Sequence, residues 1–338
     1  MAEDASQLSE ASNSAMARAR AATLEIKGPS RSLFQDSLYR LFRNKGAIGG
    51  MVVIAIFIII AAFAPLVSPH NPLALASGKD YLPPAWVAEG PNGKASNPDF
   101  LLGTDTLGRD VLSRVFYGAR VSMIVGIIPT IIILLVGCTV GLIAGYYGGW
   151  FDNLLMRLAD VIYAFPDLLF FIVVMVALRD SAIGKMLNGL LLLFTALAIV
   201  NWVGMARIVR GQVLSLKNNE FIEAAHCIGA KDSRIMLKHI LPNTLGPIII
   251  LAAMTVPNMI ITEATLGYLG LGLRPATDPS AFFVTSWGSL MLEGQTAINT
   301  QPWMLLGPAI CVSLVVLSFT FLGDGLRDAF DPRLRGTS

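Results

Sequence analysis

Residues 47–67 read AIGGMVVIAIFIIIAAFAPLV, twenty-one consecutive positions without a charged side chain. A helix of about 20 apolar residues crosses a bilayer core about 30 Å thick. Five further runs share this character, at roughly 121–146, 161–178, 189–206, 245–263 and 303–322. In lipid the backbone must satisfy its own hydrogen bonds, so each run is predicted to be a helix. The expected fold is an all-α membrane protein with six transmembrane helices. Pro129, Gly137 and Pro257 fall inside these runs, where neighbouring helices can rescue freed backbone groups and Gly permits close helix contact. Composition excludes a soluble globular domain for most of the chain. Charged residues make up 14% of its 338 positions, against about 25% in soluble domains.

Lysine and arginine set the orientation. With the N-terminus inside, seventeen of the 25 basic residues fall on the inner side. Six of these lie between Arg207 and Lys238. Both termini are therefore expected in the cytoplasm. Residues 1–30, rich in Ala and Ser, are expected to be a disordered cytoplasmic tail rather than a signal peptide, since the first apolar run begins too far in. Residues 31–46 place Leu33, Phe34, Leu38, Leu41 and Phe42 on one helical face, with Arg31, Arg40, Arg43 and Lys45 off it or at its end. That pattern predicts an interfacial amphipathic helix on the inner leaflet. The first span is 47–67, and 68–120 is extracytoplasmic. A transmembrane core over 121–322 contains a cytoplasmic loop at 207–244, and 323–338 forms a C-terminal tail.

Net charge is only +2, which carries no nucleic-acid signature. Cys138, Cys227 and Cys311 have neither metal nor redox spacing, and His70, His226 and His239 are scattered. No metal, cofactor or catalytic residue is expected. In the outer segment, Asp105, Arg109, Asp110 and Arg114 read as a salt-bridged surface helix leading into span two; a catalytic cluster is the alternative. Glu263, near the outer end of span five, is an ionisable residue at membrane depth. It is a candidate for the translocation path or a structural hydrogen-bond acceptor. The stretch 264–273 is too short to cross again and is expected to be re-entrant or to lie on the surface. Asp160 and Asp167 read as helix-end charges.

The polar stretch EFIEAAHCIGAKDSRIMLKHILPN, 220–243, interrupts the oily sequence. Asn219 is placed to cap a helix from Glu220, and Glu220 and Glu223 suit its first turn. Phe221, Ala224, Ala225 and Ile228 form an apolar stripe. Gly229 can end the helix in a left-handed conformation. Asp232 or Ser233 can cap a second short helix through Leu241, with Pro242 breaking it before span five. Two uses remain open on these residues: an interfacial elbow, or a helix laid into a partner's groove.

Glu223-Ala224-Ala225, then Gly229-Ala230, then Leu241-Pro242 resembles the EAA loop of binding-protein-dependent ABC importer permeases. The stretches LGTDTLGRDVLSRVFYGAR, GLIAGYYGGWFDNLLMRLADVIYAFP, ARIVRGQVLSLKNNEFIEAA and LGDGLRDAFDPR resemble the peptide/nickel branch, and within it the dipeptide/oligopeptide C-type subunit. The resemblance covers roughly residues 31–335. It implies a type I ABC importer permease fold with cytoplasmic coupling helices, in a prokaryotic cell membrane. It implies a heterodimer with a homologous permease, two cytoplasmic ATPases and an extracytoplasmic substrate-binding protein. ATP and Mg would be held by the ATPases, since no G-x-x-x-x-G-K-[ST] phosphate loop occurs here. Glu220, Phe221, Glu223, Ala224, Ala225, Ile228, Gly229 and Ala230 would receive the ATPase motion. The implied cargo is a dipeptide or oligopeptide, with nickel or another small solute as the alternative; a channel, an ion-coupled carrier and an intramembrane enzyme are the rival classes. The segments 74–99 and 274–290 are longer than the family's usual form and are expected to meet the binding protein.

Overall fold

The computed structural model describes residues 33–330, apart from 277, 279 and 280. The tail expected over 1–30 and the last eight residues lie outside the described residues. Ten principal helices are α1 (Leu33–Leu41), α2 (Lys45–Ala62), α3 (Val111–Tyr147), α4 (Gly149–Tyr163), α5 (Asp167–Ala177), α6 (Leu190–Leu216), α7 (Glu220–Cys227), α8 (Leu241–Tyr268), α9 (Trp287–Thr296) and α10 (Trp303–Phe330). Among the described residues β structure is limited to two isolated bridges, Glu89 with Ala95 and Thr104 with Asp110. Five helical segments are long and apolar enough to cross a membrane, and the bent pair α4–α5 brings the number to six.

Four boundaries differ from the sequence expectation. The third span is not one straight helix over 161–178: α4 and α5 meet at 79°. Proline disfavours helical geometry in the residue before it and cannot donate to the preceding turn. Pro166 therefore ends one helix and serves as N-cap of the next. The second difference is α3, a continuous helix of 37 residues, roughly 55 Å long at 1.5 Å per residue. It absorbs the outer helix expected before span two. The Asp110 carboxylate starts it by accepting from the Ser113 backbone N–H at 3.1 Å. Third, α10 runs on through Phe330, so helix replaces the start of the expected C-terminal tail.

The fourth difference lies at Pro242. No break occurs there, because helix is unbroken from Asp232 to Tyr268. Residues Met236–Ile240 form a single π turn, closed by the Leu241 N–H donating to the Met236 carbonyl. The wider turn just ahead of Pro242 accommodates a ring that would clash in a regular α-helix.

The bundle core is built on α3 and α6. Gly137, Gly141 and Gly145 recur every four residues along α3 and face α6. A Cβ added at Gly137 would lie 2.5 Å from Met205 Cβ, and one at Gly145 would lie 2.7 Å from Val213 Cβ. Small residues let membrane helices approach until their backbones pack. Gly141→Leu is expected to destabilise this pair by about 1–3 kcal/mol through overpacking, read as a lower melting temperature in detergent. Gly204→Leu is the control, since a Cβ there meets nothing within 4 Å.

At the N-terminal end, Leu41 of α1 packs on Ala47 and Ala329. Leu38, Tyr39 and Phe42 remain exposed. The expected amphipathic face is thus divided between α10 and the surroundings. The N-terminus of α2 is capped by Asn44, whose side chain accepts from Ala47 N–H at 3.2 Å.

The segment 274–290 is not an exposed loop throughout. Val284, Thr285, Ser286, Trp287 and Leu290 are buried. Trp287 Nε1 donates to the Val115 carbonyl at 3.0 Å, and its ring meets Phe57 edge-on at 5.4 Å. Aromatic residues bring large apolar area together with one polar handle. The sequence FFVTSW therefore anchors α9 between α3 and α10, leaving Phe282 exposed beside it.

Candidate coupling surface and buried charge sites

The segment 220–243 sits at the end of the bundle that carries both α1 and the end of α10. Asn219 occupies the N-cap of α7, but its side chain does not cap. Its backbone carbonyl instead accepts from Ile222 N–H at 2.9 Å and Glu223 N–H at 3.2 Å. Glu220 and Glu223 stand in the first turn, where the positive end of the helix dipole favours them. Gly229 closes the helix with φ +77°. The Gly229 N–H donates to His226 O at 2.9 Å and the Ala230 N–H to Ala225 O at 3.1 Å. These bonds and the left-handed residue form a Schellman-type stop.

The expected stripe splits across two faces. Ala225 is 4% exposed and points into the core, together with Ile222 at 1%, a residue the sequence reading passed over. Ile222 and Ala225 are three apart, and that spacing was the available signal. Phe221 at 41% and Ile228 at 84% face outward, and Ala224 and Glu223 are exposed beside them. Phe221, Ala224 and Ile228 make an apolar ridge, with Glu220 and Glu223 on the same short helix. Cys227 is exposed here as well.

The ridge is mounted on a stiff base. Ile235 and Ile240, both fully buried, join Ile222, Val209 and Val213 in the main core. Tyr146, at the end of α3, donates its hydroxyl to Asp232 Oδ1 at 2.8 Å and lies 3.4 Å from His226 Nε2. Arg210 of α6 grips Asp152 of α4 through two bonds of 2.6 Å. A bidentate guanidinium–carboxylate pair fixes direction as well as distance. Asp160 pairs with Arg207 at 2.8 Å. Shared core packing and the Tyr146 contacts thus tie α7 and the turn after it to α3 and α6. The sequence reading missed Tyr146, Asp152 and Arg210, because their partners lie between 58 and 86 residues away.

Glu263 lies in α8 and is fully buried. Ser122 of α3 donates to its Oε2 at 3.0 Å. The Trp287 N–H reaches the same Ser122 hydroxyl at 3.4 Å. Among the described residues the other Glu263 oxygen, Oε1, has no partner in good hydrogen-bond geometry, although Ser286 lies beside the carboxylate. Glu263 thus joins three helices and is fully shielded from solvent in this conformation. No re-entrant element follows it: α8 continues to Tyr268, and a turn at Gly270 ends it.

The outer charges form a network centred on two buried residues, Asp105 and Arg114, rather than the salt-bridged surface helix expected. Asp105 accepts from Arg109 Nε at 2.6 Å and from Arg114 Nη1 at 2.5 Å. Arg114 also donates through Nη2 to Glu293 Oε1 of α9 at 2.8 Å. Nearby, Arg274 donates to Asp180 at 2.9 Å and holds that carboxyl below the usual range. Among the described residues no cluster of three or more metal-ligating side chains forms.

A helical bundle with five or six candidate spans and a short amphipathic helix displayed at one end defines a polytopic membrane component. Comparison with known proteins gives the family. The family model described as binding-protein-dependent transport system inner membrane component matches residues 137–336. A second, for the N-terminal TM domain of oligopeptide transport permease C, matches residues 32–84. The oligopeptide transport system permease protein OppC of Bacillus subtilis is 40% identical over 312 residues, covering 92% of this chain and 93% of that protein. The dipeptide transport system permease protein DppC of the same organism is 40% identical over 311 residues, covering 92% and 89%. Among solved structures, the inward-facing MetNI methionine ABC transporter has a chain that superposes with a TM-score of 0.51 at 16% identity, covering 65% of this chain and 96% of that one. That likeness speaks for the fold alone. The chain belongs to the binding-protein-dependent transport system inner membrane components. Its place is the inner membrane, and the channel, ion-coupled carrier and intramembrane enzyme classes give way to this family.

Proposed function

We propose that this chain is the C-type permease of a peptide importer. It lines the translocation path together with a homologous permease. Two cytoplasmic ATPases, which hold ATP and Mg, dock on α7, and an extracytoplasmic binding protein delivers dipeptides or oligopeptides to the opposite end. The reading rests above all on its likeness, over nine-tenths of its length, to both an oligopeptide and a dipeptide permease. The exposed ridge of Phe221, Ala224 and Ile228 supports the ATPase contact, since an amphipathic helix engages a groove through anchors at this spacing. The two acidic residues of α7 complement a basic groove rim.

On the outer side, the binding protein would meet 74–99 and the exposed part of 274–290 around Phe282. The nickel alternative has no relative among those compared above to favour it. The test is reconstitution of the permease with its genomic neighbours in proteoliposomes. Labelled tri-alanine is expected to enter only with ATP and binding protein present. ATP-driven entry of nickel without peptide would replace the peptide reading with the alternative.

A further inference from the structure

Two asparagines sit at mid-membrane depth and face one cleft. Asn258 lies ten residues, about 15 Å, from the outer end of α8. Asn201 lies near the middle of α6. Together with Gly204 and Thr255, and with Met205 and Met259 on the walls, they line a cleft of about 120 Å³ between the two helices. Asn258 is exposed.

The same face of α8 carries a row of polar residues at alternating spacings of four and three: Thr255, Asn258, Thr262, Thr265. The threonines are self-sufficient. Their hydroxyls donate to the carbonyls of Leu251, Asn258 and Ile261, each at 2.8 Å. Asn258 is different. A carboxamide offers two donors and an acceptor, and among the described residues none of these has a partner. Asn201 uses one N–H on the Leu197 carbonyl at 2.8 Å; its oxygen accepts from none of the described residues.

Unpaired amides are not stable against hydrocarbon. This face must therefore meet either another protein surface or water. The shape favours water. A helix of the sister permease would pack on a flush surface of small residues, whereas here the wall recedes into a cleft, and at Gly204 the space is open for 4 Å beyond an added Cβ.

The lining chemistry matches one class of solute. An asparagine side chain is the same group as a peptide bond, so it can bond to a backbone whatever side chains that backbone carries. We propose that Asn258 and Asn201 form a polar station on the translocation path that hydrogen-bonds the backbone amides of a passing peptide. The proposal rests on the peptide reading given above.

The experiment uses the complete transporter in proteoliposomes, with tri-alanine as cargo. Unaltered import is measured first; failure to import tri-alanine overturns the peptide reading and the station with it. Asn258→Leu keeps the size of the side chain and removes its polar atoms. It is expected to lower import per ATP hydrolysed about tenfold, the size of one or two lost hydrogen bonds. Hydrolysis stimulated by loaded binding protein should persist, a split that a merely misfolded chain would not show. Asn258→Gln, which restores the amide, should recover most of the loss. A photoreactive diazirine amino acid at position 258 should attach to tri-alanine during turnover. Import by Asn258→Leu within twofold of normal, or diazirine adducts confined to the sister permease or lipid, would show that this face is an interface and not a path.

Discussion

Gly229→Val is expected to abolish ATP-driven import while leaving insertion and pairing with the sister permease intact. Gly229 holds φ +77° with open space around it. Crowding therefore does not oppose a side chain here; backbone conformation does. A β-branched residue at positive φ is a genuine outlier, and such strain is worth about 1–3 kcal/mol. The chain can relieve it by unwinding the stop at Ala225–Ala230, which turns α7 and misdirects Phe221 and Ala224. A matched pair of substitutions separates aim from stability. Ala224 is exposed, so Ala224→Trp should leave the melting temperature unchanged and yet displace the ATPases. Ala225 is buried against the core, so Ala225→Trp should destabilise the chain itself by about 1–3 kcal/mol. The measurements are ATPase co-purification, import, and hydrolysis with and without loaded binding protein. Normal coupling in both Gly229→Val and Ala224→Trp would reduce α7 to a surface elbow.

That contrast between Ala224 and Ala225 was not legible in the sequence. A stripe of apolar residues on an eight-residue helix states only that one side is buried. It does not say which, because an inner face and a docking ridge are both apolar. The spans themselves were legible, since twenty uncharged residues have one stable arrangement in lipid. Their ends were not. Pro166 and Pro242 look alike in sequence, yet one separates two helices by 79° and the other is absorbed by a π turn. What decides between them is the neighbouring packing: Ile235, just before the π turn, and Ile240, its last residue, are fully buried, which holds the helix together. Between Tyr163 and Asp167, by contrast, Ala164, Phe165 and Pro166 are all exposed, so no core contact resists the bend. Trp287 shows the same limit from the other direction. In a Pro- and Ser-rich segment it reads as a loop residue, and only the approach of Gly118, where an added Cβ would come within 2.9 Å of the indole, reveals it as core.

The largest stability effect is expected at the outer network, and its size depends on which charges are removed together. Arg114 is 4% exposed and serves Asp105 and Glu293 at once. It ties α3 to α9, and through Asp105 to the turn that ends the outer segment just before α3. Asp105 Oδ1 also accepts from the Leu107 and Arg109 backbone N–H groups at 2.9 and 3.0 Å. Asp105→Leu therefore removes a charge, two backbone acceptor contacts and one of the two carboxylates that Arg114 bonds, leaving Arg109 and Arg114 to share Glu293 as the buried cluster's one remaining negative charge. Breaking a buried pair from one side typically destabilises by about 3–5 kcal/mol, because the remaining charge stays desolvated without compensation. Asp105→Leu should fall in that range, with the outer segment 68–110 opening to protease before the spans unfold. Adding Arg114→Met removes the stranded charge with a side chain of similar reach. Apolar replacement of a whole buried pair is often neutral or stabilising, so the double variant should regain a large part of the loss. Arg109 remains to neutralise Glu293, which it already contacts at 3.2 Å. Thermal unfolding in detergent and timed proteolysis of the outer segment measure both variants. A double variant as unstable as Asp105→Leu alone would mean that the backbone contacts of Asp105, and not its charge, hold the outer segment on the bundle.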